Sequence, residues 1–497
     1  MSYCGKECQR KHWKQHKVDC KPYSVVSSEE EHGRHMRATR DIRPGETILA
    51  AMPYCVGPRL YQPVPCCLGC HRARSNLTVC ERCGMPVCSA ACADREQHQA
   101  ECRIIARYGN KHGYSIATVT PIRIIAMLQS DSVKYQTLLA MEDNIVEIKT
   151  RPLWEYYQEH VINPVTQLNI ENITLDIVEK IVGIILTNSF EVVGGGCPLI
   201  GLFYPPAMMN HHCVGNVRIT LDDTHKMTVY ASRQIKKNTP IKFNYVRSLD
   251  TTWSRQINLL DNKFFTCGCE RCLDPAELGS NISSMRCLQG DCGGTVQPSN
   301  PLSMKQHWTC SSCNSIVKAE DVRSILKELQ RETAGLNSNN LKEVMRVHSK
   351  FSPYLHPNHG VLTELKQYLI SGLGRLPGYS MTELKESDHL QKICLCKSVL
   401  EVLDIVDPGL SLGRGLMLYE LHSSLVSVSN TQYEVTKNPA LLLTKLQEAE
   451  SYLKEAAKIL SVEPHNSQYG ELASNAKESI AELAQYIQTI NNQAILA

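Results

Sequence analysis

Between Cys67 and Cys102 the chain reads CLGCHRARSNLTVCERCGMPVCSAACADREQHQAEC, with a ligand pattern of C-x2-C-x9-C-x2-C-x4-C-x3-C-x5-H-x3-C. Seven cysteines and one histidine at such spacings make two tetrahedral zinc sets, as against a scatter of free buried thiols. A segment this short buries too little apolar surface to fold alone, so metal must supply the missing stabilisation. The chain as a whole carries 23 cysteines in 497 residues, and they fall in clusters. In a secreted protein that number would suggest disulfides; in a reducing compartment it reads as zinc. The opening MSYCGKECQRKHWKQHK holds no apolar segment of the secretory type, and no stretch approaches the roughly 20 apolar residues of a membrane span. Nucleus and cytoplasm are therefore the expected compartments, with no membrane partner. A net charge of +3 sets up no global field for nucleic acid, and no finger has a C2H2 recognition-helix pattern, so direct DNA binding is not expected.

Three further clusters follow the same logic. CGCERC places Cys267, Cys269 and Cys272 in C-x-C-x2-C spacing, one ligand short of a closed structural site. Cys213, in the stretch MMNHHCVGN about 54 residues upstream, is the candidate for the fourth. Cys287 and Cys292 with Cys310 and Cys313 look like a zinc ribbon. At the N-terminus, Cys4, Cys8, His16 and Cys20 repeat only the second half of the Cys67–Cys102 pattern. Either its first half is missing through an alternative start, or the four regroup around one metal. The neighbouring Arg10, Lys11, Lys14 and Lys17 read as a solvated helix face.

Around the clusters the chain alternates between two regimes. HGRHMRATRDIRPGE and TILAA read as turn and strand, and LDIVEKIVGIILTNSFEV puts Ile177, Ile181, Ile184 and Ile185 on one helix face. Short strand-like runs, VRITLDD, MTVYAS and IKFNYV, come next, which suits an α+β domain split by the finger. From about Ala319 the pattern turns helical: Leu442, Leu446, Ala449, Leu453, Ala456 and Leu460 form one apolar stripe, started by Asn438-Pro439 and stopped before Pro464. AESYLKEAAKILSVEPH resembles a helix of a tetratricopeptide-like hairpin.

HGRHMRATRDIRPGE, TNSFEV, GLFYPPAMMNHHCVGN, IKFNYV and FFTCGCERCLD resemble, in that order, the signatures of a SET domain. The Cys67–Cys102 module resembles a MYND finger, and a MYND finger inserted in a SET domain marks the SET- and MYND-domain (SMYD) proteins, here most similar to the arthropod SmydA type. The resemblance implies a SET β-fold with a pseudoknot. Its expected segments are a partial finger (1–21), the first SET part (22–66), the finger (67–102), a helical insert (103–186), the SET core (187–247), a post-SET region (248–280), the ribbon (281–318) and the helical lobe (319–497). It implies that Cys67, Cys70, Cys88 and Cys92 hold one zinc, Cys80, Cys83, His98 and Cys102 a second, and Cys213 the post-SET metal with its three partners, giving about four ions with the ribbon.

The same resemblance implies an S-adenosylmethionine-dependent protein-lysine methyltransferase, acting on histone or non-histone lysines and linked to transcription. Gly33, Arg34, Asn188, Asn210, His211, Tyr245 and Phe265 would hold the cofactor, with Tyr245 as the catalytic tyrosine. Methyl transfer is an in-line displacement by a neutral amine, so positioning and a dry aromatic channel suit it. The rival is a catalytically silent scaffold recruiting proline-containing peptides through its MYND finger as a co-repressor adaptor; on either reading the chain is expected to be a monomer. Four departures bear on that choice. His212 and Gly215 replace the family's serine and proline, His35 stands where a glycine is usual, and Lys263 takes the place of a second tyrosine.

Overall fold

The computed structural model describes residues 21–28, 33–109, 114–194 and 196–496, together with Glu7, Arg10 and Lys11. The set Cys4, Cys8, His16 and Cys20 lies outside the described residues.

Strands β1 (Tyr23–Ser28) and β2 (Gly33–Ala38) form an antiparallel pair. Then come β3 (Thr47–Ala51) and β4 (Cys55–Pro58), and after the finger and a helical stretch, β5 (Phe190–Gly194) and β6 (Cys197–Leu202). The strand series continues with β7 (Asn210–His211), β8 (Val217–Leu221), β9 (Met227–Ala231) and β10 (Lys242–Phe243). Three-stranded sheets run in the orders β8-β9-β3 and β4-β6-β5, so each joins chain from before the finger to chain from after it. The alternation in β9 is clear: Met227, Val229 and Ala231 are buried while Thr228 and Tyr230 are half-buried.

The longest helices of the insert are α1 (Glu96–Tyr108), α2 (Val119–Ser130) and α3 (Leu175–Asn188), with shorter ones between α2 and α3. Thr174 caps α3 by accepting from Ile177 N. Of the expected stripe, Ile181, Ile184 and Ile185 are buried and Ile177 is half-buried; Val178 and Val182 widen the apolar face beyond it. The finger's cysteines, these helices and both sheets share one core, with Met36, Ile105, Ile122, Ile181 and Val229 at its centre.

Helix α4 (Thr252–Lys263) leads to the post-SET cysteines. A four-stranded sheet, β11 (Met285–Arg286), β12 (Thr295–Pro298), β13 (Trp308–Cys310) and β14 (Ile316–Val317), follows in chain order. From Ala319 to Leu496 the described chain is helical, ending in long neighbours α5 (Leu412–Thr436), α6 (Pro439–Leu460) and α7 (Gln468–Leu496). All six residues of the Leu442–Leu460 stripe are buried, and Asn438 caps α6 with Pro439 in its first turn. This helical lobe is tied to the sheets by Arg218 of β8. Its guanidinium donates to Leu410 O at 3.1 Å and Ile459 O at 3.0 Å, and pairs with Glu463.

Candidate active site and metal centres

The decisive local feature is a parallel pairing of two very short strands, β7 and β10. Chain from 210–216 passes against chain from 240–245, and Asn216 pins the crossing. Its side-chain oxygen accepts from Lys242 N at 2.9 Å and its amide donates to Pro240 O at 2.9 Å. Gly215 has a part in this: a Cβ there would stand 3.1 Å from both Asn244 N and Lys242 O. Where proline would stiffen the chain, glycine here admits a close backbone approach.

One side of the crossing opens on a cavity of about 1630 Å³, and Gly33, Arg34, Asn188, Asn210, His211, Tyr245 and Phe265 all line it. Gly33 has φ +99°, a conformation that favours glycine, and a Cβ on it would meet nothing within 4 Å. Asn188 ends α3, its amide donating to Glu142 O and Ile184 O. Four aromatic rings cluster at one end. His211 lies 5.2 Å from Tyr245 and 5.8 Å from Phe265, and Phe243 lies 6.2 Å from Tyr245, centroid to centroid.

His211 joins the cavity to a metal centre. Its Nδ1 accepts the Tyr245 N–H at 3.0 Å, which leaves the ring proton on Nε2, 3.2 Å from Cys213 Sγ. Burial pushes its pKa down to about 3, so the imidazole is neutral. Burial pushes the Tyr245 phenol above its usual range, so the hydroxyl stays a donor, and it donates to Met209 O.

The departures sort themselves by position. His35 is buried, but its ring bonds within its own strand, to Gly33 O and Arg37, and does not line the cavity. The bulk expected to crowd the cofactor turn therefore points away from it. His212 likewise faces the post-SET unit, with Nδ1 2.9 Å from Val214 O and Nε2 3.9 Å from Glu270. Lys263 is different. It does line the cavity, its Nζ donates to Thr187 O at 2.7 Å, and the nitrogen stands 5.8 Å from the centre of the Tyr245 ring. Phe264, at φ +62°, ends α4 in a left-handed turn beside it.

Four groups of Cys and His have ligand atoms all within 4.8 Å of one another: Cys67, Cys70, Cys88, Cys92; Cys80, Cys83, His98, Cys102; Cys213, Cys267, Cys269, Cys272; and Cys287, Cys292, Cys310, Cys313. Thiolate-rich tetrads of this kind fit zinc. The first two interleave along the sequence, and the third joins β7's neighbour Cys213 to the post-SET cysteines. We predict four zinc ions from these groups by native mass spectrometry; a fifth would belong to the N-terminal residues.

Sequence reasoning missed what surrounds these metals. At the finger, His98 Nδ1 meets Glu101 Oε1 at 2.9 Å, and Arg123 of α2 closes on Glu101 with contacts of 2.8 and 2.9 Å. Arg123 also donates to Leu68 O at 3.0 Å, so one buried arginine clamps the finger to the helical insert. A carboxylate on the far nitrogen of a ligating histidine orients the ring and raises its basicity. Glu101→Gln is expected to weaken zinc retention about 10- to 100-fold, read by competition with a colorimetric chelator. At the post-SET centre, Arg255 and Arg271, both fully buried, share Glu277 at 2.7 and 3.0 Å. Arg255 reaches Cys272 Sγ at 3.5 Å and Arg271 the Cys213 carbonyl at 3.2 Å. The signal was present in the sequence only as ordinary charged residues; nothing in their spacing marks them as buried.

Known proteins agree with this architecture. The SET domain family model matches residues 33–246, the span that contains the threaded strands and the finger, and a MYND finger model matches residues 1–20. The SET domain-containing protein SmydA-8, isoform A, of Drosophila melanogaster is 30% identical over 311 residues. The chain carries a SET domain and is similar to the SET- and MYND-domain (SMYD) proteins. That alignment covers 59% of this chain and 66% of SmydA-8, so the chain spans just under two thirds of that relative's length. The histone-lysine N-methyltransferase ASHR1 of Arabidopsis thaliana is 24% identical, covering 61% and 67%. The N-lysine methyltransferase SMYD2 of Gallus gallus is 25% identical, covering 48% of this chain and 57% of its own length.

Proposed function

We propose that this chain is a member of the SMYD family and an S-adenosylmethionine-dependent protein-lysine N-methyltransferase. The observation that carries the reading is the single cavity in which the Tyr245 hydroxyl, the threaded Asn210–His211 strand and an aromatic cluster converge. The residues present suit the cofactor: an unobstructed glycine edge at Gly33, amides at Asn188 and Asn210, and the Phe265 ring for a purine face. S-adenosylmethionine, when bound, supplies a methyl group on a cationic sulfur. Tyr245, held by Met209 O and kept protonated by burial, orients the acceptor amine. The aromatic faces stabilise a cationic nitrogen while excluding water, and burial favours the neutral amine that attacks. Relatives named as lysine methyltransferases support the same substrate class.

A specific observation favours a second reading, a scaffold without turnover: Lys263 puts an amine of the chain itself into the cavity. In either case we place the protein in nucleus and cytoplasm, with proline-containing peptides as partners of the finger and a link to transcription. Calorimetric titration of the zinc-loaded chain with S-adenosylmethionine tests the enzyme reading, followed by methyl transfer to arrays of lysine peptides. Micromolar binding with transfer supports it. Absence of binding sinks it and leaves the scaffold.

A further inference from the structure

Among the described residues that line the cavity, Lys263 is the one whose side chain ends in the functional group that the proposed reaction consumes. Among the described residues its amine has a single hydrogen-bond acceptor, the Thr187 carbonyl, and no carboxylate forms an ion pair with it. It faces the ring of Tyr245, the residue whose hydroxyl would orient an incoming amine. Burial, with no compensating charge, pushes its pKa down to about 8, so a substantial fraction is neutral and nucleophilic in mildly alkaline buffer. The left-handed turn at Phe264 follows directly, and Thr266 and Phe265 continue the cavity wall.

We propose that Lys263 is a methyl acceptor in this chain's own active site, modified in cis. The inference rests on the methyltransferase reading above. The Nζ lone pair of Lys263 forms the new N–C bond to the sulfonium methyl of S-adenosylmethionine, and the C–S bond breaks with its electron pair left on sulfur. The secondary ammonium so formed sheds its extra proton to water at the cavity mouth. The products are S-adenosylhomocysteine and N-methyl-Lys263. The methylated amine keeps its basicity and its contact with the Tyr245 face, while gaining the bulk of one carbon next to the position an external lysine must reach. Self-methylation therefore narrows the acceptor end of the cavity for protein substrates.

The test uses the full-length, zinc-loaded protein at pH 8.5 with S-adenosylmethionine. Intact mass should rise by one methyl group, and fragment spectra should place it on Lys263. The rate should stay constant when the protein is diluted tenfold, as an intramolecular step requires. An independent readout needs no turnover: acetylation of Lys263 by an amine-reactive ester, followed by peptide mapping. S-adenosylhomocysteine should slow that labelling at least tenfold while leaving the half-exposed Lys149 unaffected. Labelling unchanged by S-adenosylhomocysteine overturns the proposal, because Nζ would then not face the cofactor. Protection without methylation also overturns it; if lysine peptides are methylated in the same sample, the enzyme reading stands alone. Failure of calorimetry to detect S-adenosylmethionine overturns both.

Discussion

Tyr245→Phe is expected to lower methyl transfer to a lysine peptide by about 10²- to 10³-fold, with S-adenosylmethionine affinity changed only a few-fold. The substitution keeps the ring, so the packing against His211 and Phe243 survives. It removes one hydroxyl, the donor to Met209 O, and with it the group that aligns the acceptor nitrogen. The loss should therefore fall on kcat. Stability should drop by about 1 kcal/mol, the usual net worth of one hydrogen bond. A variant retaining turnover within about threefold would remove Tyr245 from the chemistry and leave the cavity without its orienting group.

The largest effect on stability is expected from Glu277→Ala. Among the described residues Glu277 is the only carboxylate in direct ion pairs with both Arg255 and Arg271, and all three side chains are buried. Burial alone would push the Glu277 carboxyl upward, but the two guanidinium groups hold it below the ordinary carboxylate range. Removing it leaves two buried cations beside each other, which should destabilise the fold by about 3–5 kcal/mol in denaturant unfolding. The post-SET zinc should become labile at the same time, since Arg255 touches Cys272 and Arg271 holds the Cys213 carbonyl. The pH dependence follows in sign. A carboxylate with a depressed folded pKa stabilises above its unfolded value, roughly 4.3, and that contribution fades as pH falls through the folded value. Alanine should flatten this acid limb. A loss under about 1 kcal/mol would mean that the triad is not a structural unit.

Much of this was legible from residue spacing, because metal ligands obey fixed geometry. Spacing alone marked Cys67 to Cys102 as eight ligands for two zincs and, since tetrahedral sites demand closure, offered Cys213 to CGCERC; which four ligands of the finger share a metal came from the resemblance to a MYND finger. The helical lobe was legible too, since the Leu442–Leu460 stripe has a helix's period. The reach of side chains was not. His35 and Lys263 both looked like insertions of bulk and charge into the cofactor site, yet only Lys263 arrives there. The difference is one of strand register: in β2, Arg34 faces the cavity, so the next residue, His35, turns into the interior on the opposite side. The buried clusters Arg123–Glu101 and Arg255–Glu277–Arg271 were invisible for a different reason. Their partners come from separate elements, and a charged residue that is buried carries no local mark.

Arg218 has a consequence for how the protein is made. Its carboxylate partner, Glu463, lies 245 residues further along the chain. At about 5–20 residues per second, a ribosome takes roughly 10–50 s to deliver that partner after Arg218 itself emerges. During that interval β8 and its sheet neighbours can assemble, while the arginine and the surface that the helical lobe will cover remain in water. The nascent chain thus passes through a stage with a zinc-bearing half and an uncapped flank. Stalled ribosome complexes ending before residue 439 should show protease cuts on that flank that vanish once the chain extends past Glu463 and clears the exit tunnel.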